Sequence, residues 1–205
     1  MEIKLLKKDE IRFPTMLKNI YDCPKQLYIL GNVENLRKEC VSIVGSRRCS
    51  LYGRIQAEKI AYKLSNEGKV IVSGLALGID SYAHIGALKA NGRTIAVLAH
   101  GLNKIYPPQN RELAIQILKH NGTLISEYSI NEIMKKENFE RRNRIIAGLS
   151  KKTIVVEAAK KSGALITANY AMEQGRRVIV VPGNIDCKYS QGTNSLLKYG
   201  AEIYC

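Results

Sequence analysis

From residue 40 onward, short runs of apolar, β-branched residues alternate with longer stretches whose apolar positions recur every three to four residues. The runs Cys40–Val44, Val70–Ser73, Thr94–Leu98, Thr123–Ser126, Thr153–Val156 and Val178–Val181 predict strands. They lack polar alternation, as strands do when helices cover both faces of their sheet. Between them, Tyr52–Glu67, Asp80–Ala90, Asn110–His120, Arg141–Leu149 and Ala164–Gln174 predict amphipathic helices. Gly68, Gly92, Gly122 and Gly175 follow four of these, where a left-handed residue closes a helix. Strand–helix alternation with short connections implies right-handed crossovers. The predicted fold class is α/β: a doubly wound, largely parallel sheet with helices on both faces, of the extended Rossmann-like kind.

The first residues read differently. Pro14 and Pro24 bracket a short helical stretch, Thr15–Tyr21, too small to be a domain. Residues 1–38 are expected to be a lead-in packed on a core domain of residues 39–205. No repeat, low-complexity segment or linker interrupts the pattern. No run approaches the roughly 18 apolar residues that a membrane span needs. The opening MEIKLLKKDE has no apolar segment of the secretory kind, so a cytoplasmic location without membrane partners is expected. Cys23, Cys40, Cys49, Cys187 and Cys205 form no CxxC pair and are expected to be reduced thiols, with Cys40 and Cys49 as small apolar fillers. No metal site or cofactor is expected.

In a doubly wound sheet, ligands bind at the carboxyl ends of the strands, and the loops there carry the candidate chemistry. Gly45, Ser46 and Arg47 follow the first core strand and precede a helix N-terminus, a combination suited to phosphate. Ser73, Gly74, Leu75 and Ala76 form a second loop in which Gly74 and Gly78 again imply close backbone approach. Asp80, a candidate N-cap, and His84 lie four residues apart on one helix face, and a structural pairing is preferred over general-base work. Lys161, Ser162 and Gly163 open a further anion-ready turn, near Pro182-Gly183 and Gln191-Gly192-Thr193-Asn194. Glu127 and Glu157 stand at strand ends, where a paired-carboxylate hydrolase would need acids, although that chemistry is the lesser expectation.

Charge sharpens the picture. Lysine and arginine number 32 against 18 aspartates and glutamates, a formal +14 in 205 residues. Such an excess favours polyanions, provided that it clusters. It does so in Lys135, Lys136, Arg141, Arg142, Arg144, Lys151 and Lys152, opposed over that span by Glu137 and Glu140. Within the cluster sits Phe139, one of 2 phenylalanines. An apolar ring in so polar a run either anchors a lid or stacks a base.

Read in order, these segments resemble the DNA-processing protein A (DprA, or Smf) family. The resemblance runs from Phe13-Pro14, Leu27-Tyr28 and Gly31 through VGSR (Val44–Arg47), SGLALGID..AH (Ser73–His84), TIAVL (Thr94–Leu98) and YP..N (Tyr106–Asn110). It continues through SEY (Ser126–Tyr128), RNRIIAGLS (Arg142–Ser150), VVEA (Val155–Ala158), SGALITA (Ser162–Ala168), VPG (Val181–Gly183) and GTN..L..GA (Gly192–Ala201). It implies an extended Rossmann domain that binds single-stranded DNA without strong sequence preference and presents the strand to RecA recombinase in natural transformation. On that pattern Arg47 grips a phosphate, Lys136 and Arg142 line the strand's path beside Asn143 and Arg144, and Phe139 stacks a base. The loops at Gly74 and Ser162 complete the pocket. The resemblance also implies a homodimer through Leu196, Leu197, Gly200, Ala201 and Ile203. No catalytic residue is implied.

Two departures stand out. Neither the N-terminal helical domain nor the C-terminal winged helix of many members is seen in these 205 residues. Ala99-His100-Gly101 also replaces the family's small glycine turn, and His100 is expected to face solvent. The alternatives are a nucleotide-binding sensor or a phosphoribohydrolase-like enzyme of the same superfamily. Against the latter, Pro182-Gly183 is followed by Asn184, so the compact PGGxGT loop of those enzymes is missing.

Overall fold

A computed structural model describes residues 2–205. Its nine-stranded sheet has the order β1-β2-β6-β5-β4-β3-β7-β8-β9. The strands are β1 (Ile3–Lys7), β2 (Gln26–Gly31), β3 (Cys40–Val44), β4 (Val70–Ser73), β5 (Thr94–Val97), β6 (Thr123–Ser126), β7 (Lys152–Val155), β8 (Arg177–Val180) and β9 (Glu202–Ile203). From β6 across to β9 every pairing is parallel, whereas β1 and β2 join the β6 edge as an antiparallel hairpin. The parallel, doubly wound core agrees with the sequence pattern.

Alternate residues of each strand feed opposite layers, as a pleated backbone requires. Cys40 and Val44 of β3 pack with α5 (Lys136–Gly148), α6 (Gly163–Glu173) and the short α1 (Thr15–Lys18). Val41 and Ile43 pack with α2 (Leu51–Asn66) and α3 (Ile79–Lys89). On that second face, Ala96 and Leu124 meet α4 (Arg111–Lys119). Ser42 is polar yet fully buried on the first face, where its hydroxyl donates to the Ile146 carbonyl at 2.7 Å.

The differences from the sequence pattern have local causes. The predicted helices and strands shift by about a residue, with two exceptions: α1 ends at Lys18, three residues short of the expected Tyr21, and α5 begins five residues before the expected Arg141. Its first turns carry exposed Lys136, Glu137 and Glu140 and show no apolar spacing. Residues 2–38 contribute two strands to the main sheet. β1 is an edge strand with exposed Lys4, Leu5 and Lys7, and only Leu6 is buried. Gly68 and Gly175 close their helices at φ +79° and +65°, as expected. After α3 and α4, Asn91 and Asn121 take the left-handed conformation instead, at φ 50° and 57°. Gly92 and Gly122 serve close approach: a Cβ on Gly122 would lie 2.6 Å from the Ile117 carbonyl oxygen and 2.8 Å from that of Thr94.

Candidate nucleic-acid interface

The chain leaves β3 toward β4 on one side, while β7 pairs with β3 on the other. The loops after these two strands therefore part at a topological switch point. They are tied there by the Ser46 amide, which donates to the Glu157 carbonyl at 2.7 Å. Between and above them opens a cavity of about 630 Å³. Gly45, Ser46, Arg47, Ala76, Lys136, Phe139, Arg142, Asn143, Lys161, Ser162 and Gly163, all singled out from sequence, line it.

Backbone fit builds the rim. Gly78, at φ +78°, lets the start of α3 lie against the β3 loop, and the Ile79 amide donates to the Ser46 carbonyl at 3.2 Å. A Cβ on Gly53 would strike the Glu157 carboxylate. That carboxylate accepts the Ser50 amide at 2.8 Å and the Ser50 hydroxyl at 2.5 Å. Glu157 thus fastens the N-terminus of α2 beneath the Arg47 loop. Ser162 caps α6, its hydroxyl accepting the Ala164 amide at 3.3 Å.

Arg142 forms the floor. Although it lines the cavity, only 4% of it is exposed. Its Nη1 donates to the Gly74 carbonyl at 2.8 Å and to that of Val97. A Cβ on Gly74 would lie 2.6 Å from the guanidinium, so this loop needs glycine for the arginine's sake. Asp80 accepts the Gly74 and Ala76 amides at 3.1 and 3.3 Å. Burial pushes the Asp80 carboxyl up, opposed by the Arg142 charge and the loop amides. Burial also lowers Arg142 to about 10, which leaves it charged at neutral pH. Ser73, Gly74 and Leu75 lie behind the lining: the Ser73 hydroxyl donates to the Ile43 carbonyl, and Leu75 is fully buried at φ 56°.

Exposed charges stand above this floor. Arg47, Lys136 and Lys161 are exposed, and none has a carboxylate within 4 Å among the described residues. The Arg47 guanidinium carbon lies 5.2 Å from the centre of the half-buried Phe139 ring. Tyr106 meets the same ring edge-on, with centroids 5.9 Å apart. The aromatic contact thus joins the β3 loop, the loop after β5 and α5.

Several sequence readings change. Arg144 lies outside the cavity. Almost fully buried, it forms a forked pair with Glu127 at 2.7 Å and a 2.9 Å contact with Asp22, which pins the N-terminal segment to α5. Asp80 and His84 share a helix face without pairing: the His84 Nδ1 lies 2.7 Å from the Thr94 hydroxyl. Asp80 sits inside the first turn of α3, whose N-cap is Gly78. His100, expected in solvent, is buried beside Gly101, and its own carbonyl accepts the Ser126 hydroxyl. The neighbouring turn packs so tightly that Gly101 leaves no room for a Cβ. Glu127 and Glu157 are each committed to a separate partner. Pro182-Gly183 is closed by Asn194, which bonds both backbone groups of Gly183. All five cysteines are free, Cys40 buried and Cys49 half-buried. Of the residues expected at a dimer contact, Leu196 is buried in the core, whereas Gly200 and Ile203 are exposed. Tyr106, Met134 and Ile166 also line the cavity; Tyr106 and Ile166 carried sequence signals, through the YP..N and SGALITA motifs, and Met134 carried none.

Comparison with known proteins fits this arrangement. The sequence matches the family described as DNA recombination-mediator protein A over residues 4–205. Protein Smf of Escherichia coli strain K12 is 43% identical over 197 residues, covering 96% of this chain and 53% of that protein. The chain spans about half the length of such curated relatives. The X-ray structure of DNA processing protein A from Streptococcus pneumoniae superposes with a TM-score of 0.93 at 41% identity, over 100% of this chain and 71% of that one. DNA processing protein A from Helicobacter pylori, whose structure concerns its single-stranded DNA binding mode, gives a TM-score of 0.88 at 34% identity, with 99% and 91% coverage. The chain belongs to the DNA recombination-mediator protein A family.

Proposed function

We propose that this chain is a binding protein, not an enzyme, that holds single-stranded DNA without strong sequence preference in the switch-point cavity. The observation that carries the reading is the juxtaposition of Arg47 and Phe139 at the rim, with Lys136 and Lys161 beside them. Single-strand binders combine cations that neutralise phosphates with aromatic faces that accept any base. Arg47 resting on the ring is a guanidinium poised to turn to a phosphate, and Phe139 then offers its face to a base. Arg142 acts from below as a fixed positive charge holding the Gly74 loop. The single-stranded DNA binding described for the Helicobacter pylori relative supports the same reading. By the same kinship we infer that the protein works in the cytoplasm as a homodimer, presents its strand to RecA recombinase and serves natural transformation.

Fluorescence anisotropy with labelled oligo-dT of increasing length, at two salt concentrations, tests the reading. Binding should tighten with length, weaken with salt and resist both duplex DNA and AMP as competitors. Length-independent binding abolished by AMP would replace it with a nucleotide pocket.

A further inference from the structure

A second basic groove lies outside the cavity, of about 450 Å³, lined by Lys7, Lys8, Asp9, Lys18, Lys25 and Gln26. All four lysines are exposed, and none has a carboxylate within 4 Å among the described residues. Four unneutralised ammonium groups around one groove repel one another, and the fold holds them together. The Lys8 amide donates to the Lys25 carbonyl at 3.0 Å, and the Glu10 carboxylate accepts the Lys7 amide at 2.8 Å, which fixes the hairpin end.

Strand direction places this groove relative to the cavity. β2 runs antiparallel to β6, with Tyr28 opposite Ser126, and β1 runs antiparallel to β2, with Lys7 opposite Gln26. The Lys7 end of β1 and the Lys25 start of β2 therefore lie on the carboxyl edge of the sheet, the edge on which the cavity opens. From β3 to β1 the sheet order counts five steps, roughly 24 Å at about 4.8 Å per step. The interval is bridged. Exposed Arg141, on the helix that carries Phe139, lies 3.5 Å from Asp22. Buried Arg144 anchors the same aspartate, three residues before Lys25. At the head of that loop Tyr21 is fully exposed, an aromatic ring with no packing role. The pairing of unneutralised cations with a free ring repeats the composition of the cavity rim.

We propose that the groove at Lys7, Lys8, Lys18 and Lys25 is a second phosphate-binding station for the same single strand, which leaves the cavity past Arg141 with Tyr21 as an added stacking ring. This rests on the cavity binding single-stranded DNA. Even at the stacked rise of about 3.4 Å per nucleotide, a strand crosses the interval in roughly seven nucleotides. Oligonucleotides short enough to stay in the cavity would not reach the lysines.

The test compares oligo-dT of about 6 and about 25 nucleotides on the parent, a Lys8→Ala/Lys25→Ala double variant and Tyr21→Ala. These are surface side chains, and circular dichroism checks that each variant is folded. The double variant should bind the short oligonucleotide like the parent and the long one severalfold more weakly. Its log–log salt slope on the long strand should fall by about 1.4, roughly 0.7 for each phosphate that is no longer neutralised. Tyr21→Ala should weaken long-strand binding at an unchanged slope. Variants that bind the long strand like the parent would overturn the second station while leaving the cavity reading intact. A parent that binds neither strand fails the cavity reading and this one with it. If poly-glutamate binding, rather than long-strand binding, is lost in the double variant, the groove docks an acidic protein and the proposal is wrong.

Discussion

At the scale of single residues, two side chains touching one another should fail in different ways. Arg47→Ala removes a charge-assisted contact of about 1.5–3 kcal/mol, roughly a tenfold or greater loss of affinity for oligo-dT. It should also lower the salt slope by about 0.7, because one phosphate keeps its counterion. Phe139→Ala should cost about 1–3 kcal/mol per stacked base and leave the slope nearly unchanged. Anisotropy titrations across salt separate the two, and equal slopes in both variants would refute the division of labour. His84 makes a prediction of another kind. The Thr94 hydroxyl donates to the Ile71 carbonyl at 2.7 Å, so it must accept from His84, whose proton therefore sits on Nδ1. Nε2 has no partner in the core, and burial lowers the group to about 3. Between that value and an unfolded value of about 6.5, the unfolded chain binds one more proton than the folded one, so stability falls as pH falls. Burial also lowers His100, which acts in the same direction. Urea unfolding should lose about 1.4 kcal/mol per pH unit from His84 between about pH 6 and pH 4. His84→Met should flatten that profile by one proton; an unchanged profile would place the titration elsewhere.

At the scale of elements, the site is built by loops pressed against one another, and Gly78 marks one such close approach. A Cβ there would lie 2.6 Å from the Arg47 carbonyl oxygen, and the residue holds φ +78°. Gly78→Ala should destabilise the fold by roughly 1–3 kcal/mol, measured by urea unfolding, and weaken oligo-dT binding by displacing the Arg47 loop. An alanine variant of parental affinity would show that this contact does not position Arg47. Where the sequence was legible, buried parallel strands wrote long apolar runs and their glycine-rich loops stood at the carboxyl ends. Where it was not, the elements were half-solvated. IKLLK offers no apolar run, since only Leu6 points inward, and β9 is two residues long. Glu-Arg-Arg-Asn-Arg reads as one basic run, yet helical geometry sends Arg141 outward, Arg142 under the cavity and Arg144 to Glu127. A run of charges carries no mark of which members have buried partners. Those partners come from loops distant in sequence, which is why Arg142 read as a strand contact and proved to be the floor.

At the scale of the whole molecule, the sheet has two edges, and they differ. The β1 edge is lysine-rich, which discourages strand addition. The β9 edge carries exposed apolar side chains beside the Arg177–Glu202 ion pair: Ile203 is 52% exposed, Tyr199, four residues earlier, is also exposed, and only β8 pairs with β9. An unpaired edge with exposed apolar side chains favours a partner. Since Leu196 is spent on the core, the proposed dimer contact should centre on Ile203 and Tyr199. Ile203→Asp would then shift sedimentation from dimer to monomer. Binding of a short oligo-dT, which needs one cavity, should be unchanged. Binding of a strand long enough to span two cavities should fall by more than tenfold, because the second engagement loses its effective concentration. A variant that remains dimeric would move the contact off this edge. A monomeric variant with undiminished long-strand affinity would instead show that each protomer holds its strand alone, leaving length dependence to the path within one protomer, from the cavity toward the lysine edge.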